Sequence, residues 1–343
     1  MAKAMSLNAV DERRLRALYR STRIRQRHSV LPDYGRSNGD FSFYPNTPGL
    51  EPFPTVQQRM VAYRQHAVVL AEEAIRDCLN STPVSPDKIT HLITVSCTGM
   101  YAPGPDIELI GRLGLQSTVH RIAVNFMGCY GAFNGLKTAV ALVKADPSAR
   151  VLLVCVELCT LHFQKKNEED HLLANALFSD GAAAVLLEGT DNGTPPANAI
   201  EVVDFACDVL PEGKDDMAWH IHDFGFEMKL TSRVPDVLKT GLPAILTRLT
   251  HAQGITPDDV NLYAIHPGGR RILEVCEQAL GLTHEDNAAA YEILREYGNM
   301  SSATVLFVIK KLWELNRQSA GAWIFSSAFG PGLTAETALL KIV

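Results

Sequence analysis

Three residues of the chain have side chains that could together carry out acyl transfer. Cys129 lies between Gly128 and Tyr130, where an apolar segment gives way to small residues typical of the start of a helix. The dipole of a helix favours a thiolate at its amino end, and small neighbours let a substrate carbonyl approach the backbone. A buried structural cysteine is the competing interpretation, which we give to Cys155 and Cys276.

His266 and Asn299 supply the groups that such a nucleophile needs. His266 follows the apolar segment NLYAI and precedes a Pro-Gly-Gly turn, so its ring can point into a cleft. Asn299 lies in a turn, where it could also be a plain capping residue, and Ser301 or Ser302 can open the next helix. A nucleophile, an imidazole that can change its charge and a neutral amide donor suit covalent acyl transfer with a stabilised oxyanion.

Two α/β segments of similar order position these residues. In the first, strands are predicted within KITHLITVSCTG, HRIAVNF, ARVLLVCVELC and AAAVLLEG, with a helix at AFNGLKTAVALVKA. In the second, NLYAIHPGGRRILEVCEQAL repeats the order of strand, turn and helix, and the final segment GAWIFSSAFGPGLTAETALLKIV predicts two strands. Strands as apolar as these are expected to be covered on both faces.

The remaining segments divide the chain. Residues 11 to 30 predict a basic helix, residues 32 to 54 a surface loop, and Val56 to Leu79 a further helix. The Gly-, Pro- and Asn-rich segment GTDNGTPPANA predicts a linker near residue 190. We therefore expect an amino-terminal half over 1–190, which carries the cysteine, and a carboxy-terminal half over 191–343, which carries the histidine and the asparagine.

Composition narrows the class of ligand. The chain has 343 residues, of which 46% are hydrophobic and 20% charged, as in ordinary globular proteins. Its net charge of -6 gives no overall attraction to nucleic acid or to anionic lipid. We expect a small-molecule substrate and no nucleic-acid partner.

The cysteines and the apolar segments indicate a compartment. The seven cysteines include no CxxC pair and no spacing with histidine that suits zinc, which predicts a reducing environment and no metal. The first twenty residues lack the apolar core of a signal peptide, and no apolar run reaches the ~18 residues that a membrane span requires. We expect a cytoplasmic protein without a membrane span.

Several longer segments together resemble one enzyme family. The chain resembles the type III polyketide synthases, the chalcone synthase-like family, from about Arg20 to Thr337, in the order and spacing of that family's signature segments. The segments that carry the resemblance are NFMGCYGAFNGLK, ALFSDGAAAVLL, AIHPGGRRILE, YGNMSSATVLF and AFGPGLTAET.

The resemblance implies a fold and a reaction. The fold is thiolase-like, with two duplicated halves in a five-layer αβαβα arrangement, and the assembly is a homodimer. The reaction is the decarboxylative Claisen condensation of malonyl-CoA onto an acyl starter taken from acyl-CoA, followed by cyclisation. Coenzyme A thioesters are the substrates and no further cofactor is expected. Cys129 is then the nucleophile, and His266 and Asn299 complete a catalytic triad.

The resemblance also implies binding residues. Phe178 corresponds to a gatekeeper between the entry tunnel and the reaction cavity, although core packing is its competing role. Arginines at alternate positions match a basic strip that holds the coenzyme A phosphates, although such a cluster is often only a solvated surface; these are Arg23, Arg25 and Arg27. The other residues that we assign to the substrate pocket are Met228, Trp219, Cys97, Cys159, His162 and Ser301.

Several positions depart from the plant chalcone synthases. Cys97, Cys159 and His162 stand where those enzymes carry threonines, and Ala102 stands where a methionine crosses their dimer interface. Trp219 replaces a glycine, and a bulky residue there is expected to reshape the cavity. The chain is more similar to bacterial members that make alkylresorcinols, alkylpyrones or related phenolic polyketides, so we do not expect a chalcone product.

Three other functions compete with this one. A ketoacyl synthase of the fatty-acid initiation type shares the triad and the fold, but it accepts malonyl groups from acyl carrier protein and condenses once. A noncatalytic thiolase-fold subunit would act only as a scaffold and would have no need of the triad. A Cys-His hydrolase would require access for water and would leave Asn299 without a role.

Overall fold

Two four-stranded sheets and one hairpin make up the β-structure of the chain. The computed structural model describes residue 5 and residues 7–36, 40–190, 198–231 and 233–343. Within these ranges the strands are, in chain order, β1 His91–Ser96, β2 His120–Asn125, β3 Arg150–Leu158, β4 Asp180–Glu188, β5 Ile200–Val209, β6 Met217–His222, β7 Gly225–Leu230, β8 Val260–Ile265, β9 Trp323–Gly330 and β10 Thr334–Ile342. The first sheet has the order β2-β1-β3-β4 and the second the order β5-β10-β9-β8, while β6 and β7 pair only with each other.

Nine α-helices of the described ranges connect and cover these strands. Their bounds are α1 Ala9–Ser21, α2 Val56–Asn80, α3 Pro105–Leu113, α4 Gly131–Ala145, α5 Glu169–Leu177, α6 Val234–His251, α7 Arg270–Leu280, α8 Ala288–Tyr297 and α9 Thr304–Asn316. The strands and helices predicted around the three candidate catalytic residues all form at the expected places.

The two sheets repeat one motif. In the first, β1 pairs parallel with β3, and β3 pairs antiparallel with β4. In the second, β8 pairs parallel with β9, and β9 pairs antiparallel with β10. Helices α4 and α9 contact strands of both sheets and lie between them, whereas α2 and α3 cover the first sheet, and α6, against which α7 packs, covers the second. The duplicated five-layer α/β arrangement expected of a thiolase-like fold is therefore confirmed.

The division of the chain at residue 190 stays a prediction. Each sheet is drawn from one side of that point, because β4 ends at Glu188 and β5 begins at Ile200. The predicted linker itself lies mostly at 191–197, outside the described residues.

The expectation that the strands are covered on both faces holds for the central strands and is wrong for β2. Eight consecutive residues of β3 are buried, and β1 is buried from Leu92 to Ser96. In β2, by contrast, Ile122 and Val124 are half exposed and the other four residues, His120, Arg121, Ala123 and Asn125, are exposed. The reason is its position at the edge of the sheet, where it pairs on one side only.

The basic helix predicted over residues 11 to 30 is shorter than expected. Helix α1 is capped by Asn8 and ends at Ser21, and Arg23 then takes a left-handed conformation with φ 60°. The following residues are extended because their backbone groups pair elsewhere: Arg25 donates to the carbonyl of Arg295 and His28 to the hydroxyl of Ser179. The chain from 25 to 30 therefore runs as a strap between other elements.

The segment from 32 to 54 is a loop, as predicted, but it is anchored rather than loosely solvated. The carboxylate of Asp33 accepts hydrogen bonds from the backbone of Ser42, Phe43 and Tyr44. The side chains of Tyr44 and Phe53 are buried. These contacts fold the loop over the first half, where it forms part of a cavity wall.

Candidate active site

Cys129 lies on a sharp turn between β2 and α4. The turn is a single 3-10 turn, Gly128–Tyr130, preceded by Phe126 with φ 60° and containing Gly128 with φ 78°. A side chain at position 128 would place its Cβ 2.4 Å from the ring of Pro331, so only glycine fits there. The turn aims Cys129 at the boundary between the two halves, since Pro331 belongs to the second.

The sulfur of Cys129 is buried beside two hydrogen-bonding side chains. Burial raises the pKa of this thiol to about 12, while hydrogen bonds from the side chains of Ser301 and Asn299 act to lower it. The pKa of Cys97 and that of Cys159 are raised well above their ordinary values by burial. The thiol, and not the thiolate expected from the helix dipole, is therefore the favoured form of Cys129. The residue needs a proton acceptor before it can attack a substrate.

His266 is the candidate for that acceptor. It follows β8, is 1% exposed, and its backbone N–H donates to the carbonyl of Ser327 at 2.8 Å. Neither ring nitrogen has a hydrogen-bond partner among the described residues, which is unusual for a buried polar side chain and common at catalytic sites. Burial lowers the pKa of His266 to about 3, so the ring is neutral and has a lone pair available.

Asn299 joins the two halves of the site. Its Nδ2 donates to the carbonyl of Gly268 at 3.1 Å, and its Oδ1 accepts from the backbone N–H of Ser301 at 2.8 Å. Its backbone forms a short parallel bridge with Phe178. Asn299 thus lies beside Cys129 and is bound to the turn that follows His266, while the catalytic roles of the three residues stay predictions.

Two cavities meet near Cys129. The outer cavity, of about 620 Å³, runs from α1 and the 32–54 loop to the hairpin of β6 and β7. The floor pocket, of about 20 Å³, contains Cys129 together with Cys97 and Ser301. The wall that the two cavities share consists of Cys159, Phe178, Trp219 and Met228. Every residue assigned to the substrate pocket from the sequence lines one or both cavities, with His162 on the outer one.

Trp219 lies on strand β6. It faces Met228 across the hairpin, and its Nε1 donates to the carbonyl of Cys97 at 2.8 Å. The sulfur of Cys97 in turn accepts from the backbone N–H of Gly128 at 2.9 Å. Trp219 is thereby linked through Cys97 to the turn that carries the candidate nucleophile.

The three arginines of the predicted phosphate strip have different surroundings. Arg27 lines the outer cavity, but its Nη1 donates to the carbonyls of Asn175 at 2.6 Å and Phe178 at 3.1 Å. Arg23 and Arg25 do not line the cavity, and Arg25 lies 3.4 Å from the carboxylate of Glu296. Their role in binding coenzyme A stays a prediction.

Two cavity residues that the sequence argument missed are Arg16 and Arg20, on α1. Both line the outer cavity and both are exposed. Their spacing of four residues, which places them on one face of a helix, was the available signal.

Glu157 was also missed. It lies fully buried on β3 and accepts from the backbone N–H of Cys97 at 2.9 Å and from the hydroxyls of Thr98 at 2.9 Å and Ser302 at 2.5 Å. Burial raises the pKa of this carboxyl. The signal was a single acidic residue within the apolar segment ARVLLVCVEL. Its hydrogen-bond donors come from both halves of the chain, so Glu157 links the two halves near the floor pocket.

Among the described residues, no group of three His, Cys, Asp or Glu side chains is arranged to hold a metal ion. No helix of the described part combines the length and the apolar character needed to cross a membrane.

Comparisons with known proteins match both halves of the chain to one family. The family model for the N-terminal domain of chalcone and stilbene synthases matches residues 4–192, and the model for the C-terminal domain matches residues 201–343. Among curated relatives, the 1,3,6,8-tetrahydroxynaphthalene synthase of Streptomyces peucetius subsp. caesius is 32% identical, over 96% of this chain and 84% of that protein. The alpha-pyrone synthesis polyketide synthase-like Pks18 of Mycobacterium tuberculosis is 29% identical, over 98% of this chain and 84% of that protein.

A solved structure gives the same result. The crystal structure of PKS-I from the brown alga Ectocarpus siliculosus superimposes with a TM-score of 0.92 at 30% identity, covering 100% of this chain and 93% of that one. Because both halves match chalcone and stilbene synthase domains, the comparisons favour this family over the ketoacyl synthases and the Cys-His hydrolases. The chain belongs to the chalcone and stilbene synthase family, and it is a type III polyketide synthase.

Proposed function

We propose that Cys129 carries the growing acyl chain, that His266 exchanges its proton, and that Asn299 with His266 stabilises the enolate formed from malonyl-CoA. The observation that carries this assignment is the buried sulfur of Cys129 beside the side chains of Ser301 and Asn299, together with the buried imidazole of His266, which has no hydrogen-bond partner among the described residues. The family acts as an acyltransferase on coenzyme A thioesters, so the substrates are an acyl-CoA starter and malonyl-CoA.

Loading begins with transfer of the thiol proton of Cys129 to His266. The resulting thiolate attacks the carbonyl carbon of the acyl-CoA thioester, and the tetrahedral oxyanion is stabilised by the imidazolium and the neighbouring amide. When the C–S bond to coenzyme A breaks, the departing thiolate takes the proton from His266. The acyl group is then bonded to the sulfur of Cys129, and free coenzyme A leaves.

Extension uses the same donors without an external base. Malonyl-CoA loses CO2 when its carboxylate C–C bond breaks, and the electron pair passes to the thioester as an enolate. Asn299 has a second amide proton beyond the one that Gly268 accepts, and His266 can supply another donor. The enolate carbon then attacks the acyl group on Cys129 and releases its thiolate, which leaves a chain longer by two carbons on coenzyme A.

The shared wall is proposed to select the product. Phe178, Trp219 and Met228 separate the floor pocket from the outer cavity, so their volumes limit the length and folding of the polyketide. None of the three is an acid, base or nucleophile near neutral pH. We propose a resorcinol, a pyrone or a related phenolic polyketide as the product; the relatives named for an alpha-pyrone and for tetrahydroxynaphthalene support that class.

The coenzyme A phosphates are proposed to bind at the mouth of the outer cavity. Arg16 and Arg20 line that cavity, whereas Arg23 and Arg25 of the predicted strip do not. Guanidinium groups suit phosphates because they present planar pairs of donors.

A homodimer in the cytoplasm is proposed as the working form. The edge strand β2 is unpaired on one side and leaves Ile122 and Val124 half exposed, which supports pairing with a second copy of the chain. Light scattering should give twice the mass of a single chain.

All seven cysteines, each within the described residues, are free thiols, which supports a reducing compartment.

One incubation tests the proposed function. The protein is mixed with malonyl-CoA and a panel of acyl-CoA starters, and the products are identified by mass spectrometry. We expect cyclised products that contain the starter and at least two malonyl-derived units. A single condensation, or a requirement for acyl carrier protein, would instead favour a ketoacyl synthase, and no turnover with any starter would favour the scaffold.

A further inference from the structure

The strap, residues 25–30, is bound to the end of α5 next to Phe178. The backbone N–H of His28 donates to the hydroxyl of Ser179 at 2.7 Å, and the N–H of Asp180 donates to the carbonyl of His28 at 2.9 Å. The guanidinium of Arg27 reaches the carbonyls of Asn175 and Phe178. A cation at the carboxyl end of a helix is stabilised by the helix dipole as well as by the hydrogen bonds. The strap thus fixes the backbone of the predicted gatekeeper.

The same strap is bound to the end of α8, immediately before Asn299. The backbone N–H groups of Arg25 and Gln26 donate to the carbonyl of Arg295 at 2.8 and 3.3 Å. The ring of His28 lies 3.3 Å, through Nε2, from the carbonyl of Glu296. The strap therefore spans from the segment that carries Phe178 to the segment that carries Asn299.

Arg27 contacts both of these segments with one side chain. Its aliphatic part packs on Gly298, where a Cβ would lie only 2.9 Å from the Cγ of Arg27, while its guanidinium binds the carbonyl of Phe178. Between the two segments, the backbone N–H of Ser179 donates to the carbonyl of Asn299, and the backbone N–H of Asn299 donates to the carbonyl of Leu177, both at 2.9 Å. Without the Arg27 side chain, this backbone pairing would lose the contact with Gly298 and the hydrogen bond to the carbonyl of Phe178.

We propose that Arg27 is a positioning residue, which holds the bridge between Phe178 and Asn299 and so sets where the Asn299 amide stands above Cys129, and that it does not serve as a ligand of coenzyme A. The inference rests on the proposed role of Asn299 in malonyl decarboxylation. A guanidinium already shared between two main-chain carbonyls and stacked at 5.5 Å on the ring of Tyr19 is poorly placed to bind phosphates as well.

The two roles predict different kinetics for malonyl-CoA decarboxylation by Arg27→Ala. A displaced amide lowers stabilisation of the transition state, so we expect kcat to fall by about tenfold or more with KM changed less than about threefold. Loss of a phosphate ligand would instead raise KM and leave kcat near the wild-type value. The second pattern would overturn the proposal, as would a wild-type rate.

A thioester without the phosphates sharpens the distinction. Malonyl-pantetheine lacks the diphosphate and the ribose phosphate, so a positioning defect should reduce its decarboxylation by the same factor as that of malonyl-CoA. Arg248→Ala is the control, because Arg248 is exposed, pairs with Asp208 and lines neither cavity. Arg248→Ala should retain the wild-type kcat. A loss in Arg27→Ala that is confined to malonyl-CoA would contradict the proposal.

Arg27→Lys covers the case in which Arg27→Ala fails to fold. A lysine keeps one cationic donor for the carbonyls but lacks the planar fork, so kcat should lie between those of the wild type and Arg27→Ala, or several-fold below the wild type if the alanine variant is lost. Unchanged kcat in Arg27→Lys with a raised KM would overturn the inference. Absence of decarboxylation in the wild-type protein would instead remove the proposed function itself.

Discussion

The floor pocket and the outer cavity adjoin each other, but they are built from different parts of the chain. The floor pocket is formed where strands and turns of the two duplicated halves meet, and its polar groups are bound to the main chain, as at Asn299 and Cys97. The outer cavity is lined by α1, the 32–54 loop, α5 and the hairpin of β6 and β7, which lie outside both sheets. We therefore expect the reaction to depend on the duplicated framework, and the choice of substrate and product to depend on the elements added to it.

The largest expected effect comes from removing the amide in the floor pocket. Asn299→Ala should lose about 100-fold or more in malonyl decarboxylation, because one preorganised donor to the enolate disappears, while acyl loading should fall much less. Single-turnover assays of the two half-reactions measure both values. Asn287→Ala, which removes another buried asparagine far from Cys129 in the sequence, serves as the control. Equal losses in both half-reactions would mean that Asn299 only maintains the shape of the pocket.

The free energy of unfolding should depend on pH through the ionisation of Asp180, which binds Thr160 in the wall of the outer cavity. Burial raises the pKa of this carboxyl from 3.8 to about 6, although Thr160 and Val30 donate to it. The folded state therefore prefers the protonated acid, and its stabilising contribution is present below about pH 4 and is lost as the pH rises through 6. Relative to Asp180→Asn, the wild-type protein should lose about 2 kcal/mol of unfolding free energy between pH 4 and 7.5.

Urea unfolding of the wild type and Asp180→Asn across this range measures the difference. A pH-independent difference between the two proteins would show that Asp180 ionises in the folded state as easily as in the unfolded chain.

A smaller effect is expected at the sulfur itself. Ser301→Ala removes a hydrogen bond that lowers the pKa of Cys129, so the thiolate fraction at a given pH should fall by about tenfold. The rate of alkylation of Cys129 by iodoacetamide, followed against pH, should shift to higher pH. Ser302→Ala is the matched control, because that hydroxyl binds Glu157. The same shift in both variants would indicate a general loosening of the pocket.

The smallest effect on the chemical steps is expected in the shared wall. Trp219→Gly should change chain length or ring closure while loading of Cys129 stays within about twofold of the wild type, because the indole takes no part in bond making. Trp219→Phe retains most of the volume but loses the hydrogen bond to the carbonyl of Cys97. Product profiles by mass spectrometry should change more in Trp219→Gly than in Trp219→Phe. A wild-type profile from Trp219→Gly would contradict the assignment.

Much of the framework could be predicted from the sequence because it depends on local patterns. The buried strands carry continuous apolar segments, and Cys129, His266 and Asn299 each occupy a turn marked by glycine or proline. Apolar pattern alone could not show that β2 lies at an edge, since edge position depends on which strands pair.

The outer cavity was less predictable because it depends on tertiary contacts. Helix α1 ends at Ser21 because backbone N–H groups of the residues after it donate to the carbonyl of Arg295 and to the hydroxyl of Ser179, which are distant in the sequence. The ionisation of Cys129 also differs from the expectation, because burial outweighs the influence of a helix that begins two residues later.

The central claim, that the acyl chain is carried at the floor pocket by Cys129, has one direct test. Intact-protein mass spectrometry after brief exposure to an acyl-CoA should show one acyl adduct, peptide mapping should place it on Cys129, and the adduct should be absent from Cys129→Ala. Cys97 and Cys159 line the same pocket, but they lack the hydrogen bonds from Ser301 and Asn299 that lower the pKa of Cys129. An adduct on either of them, or one that persists in Cys129→Ala, would contradict the account.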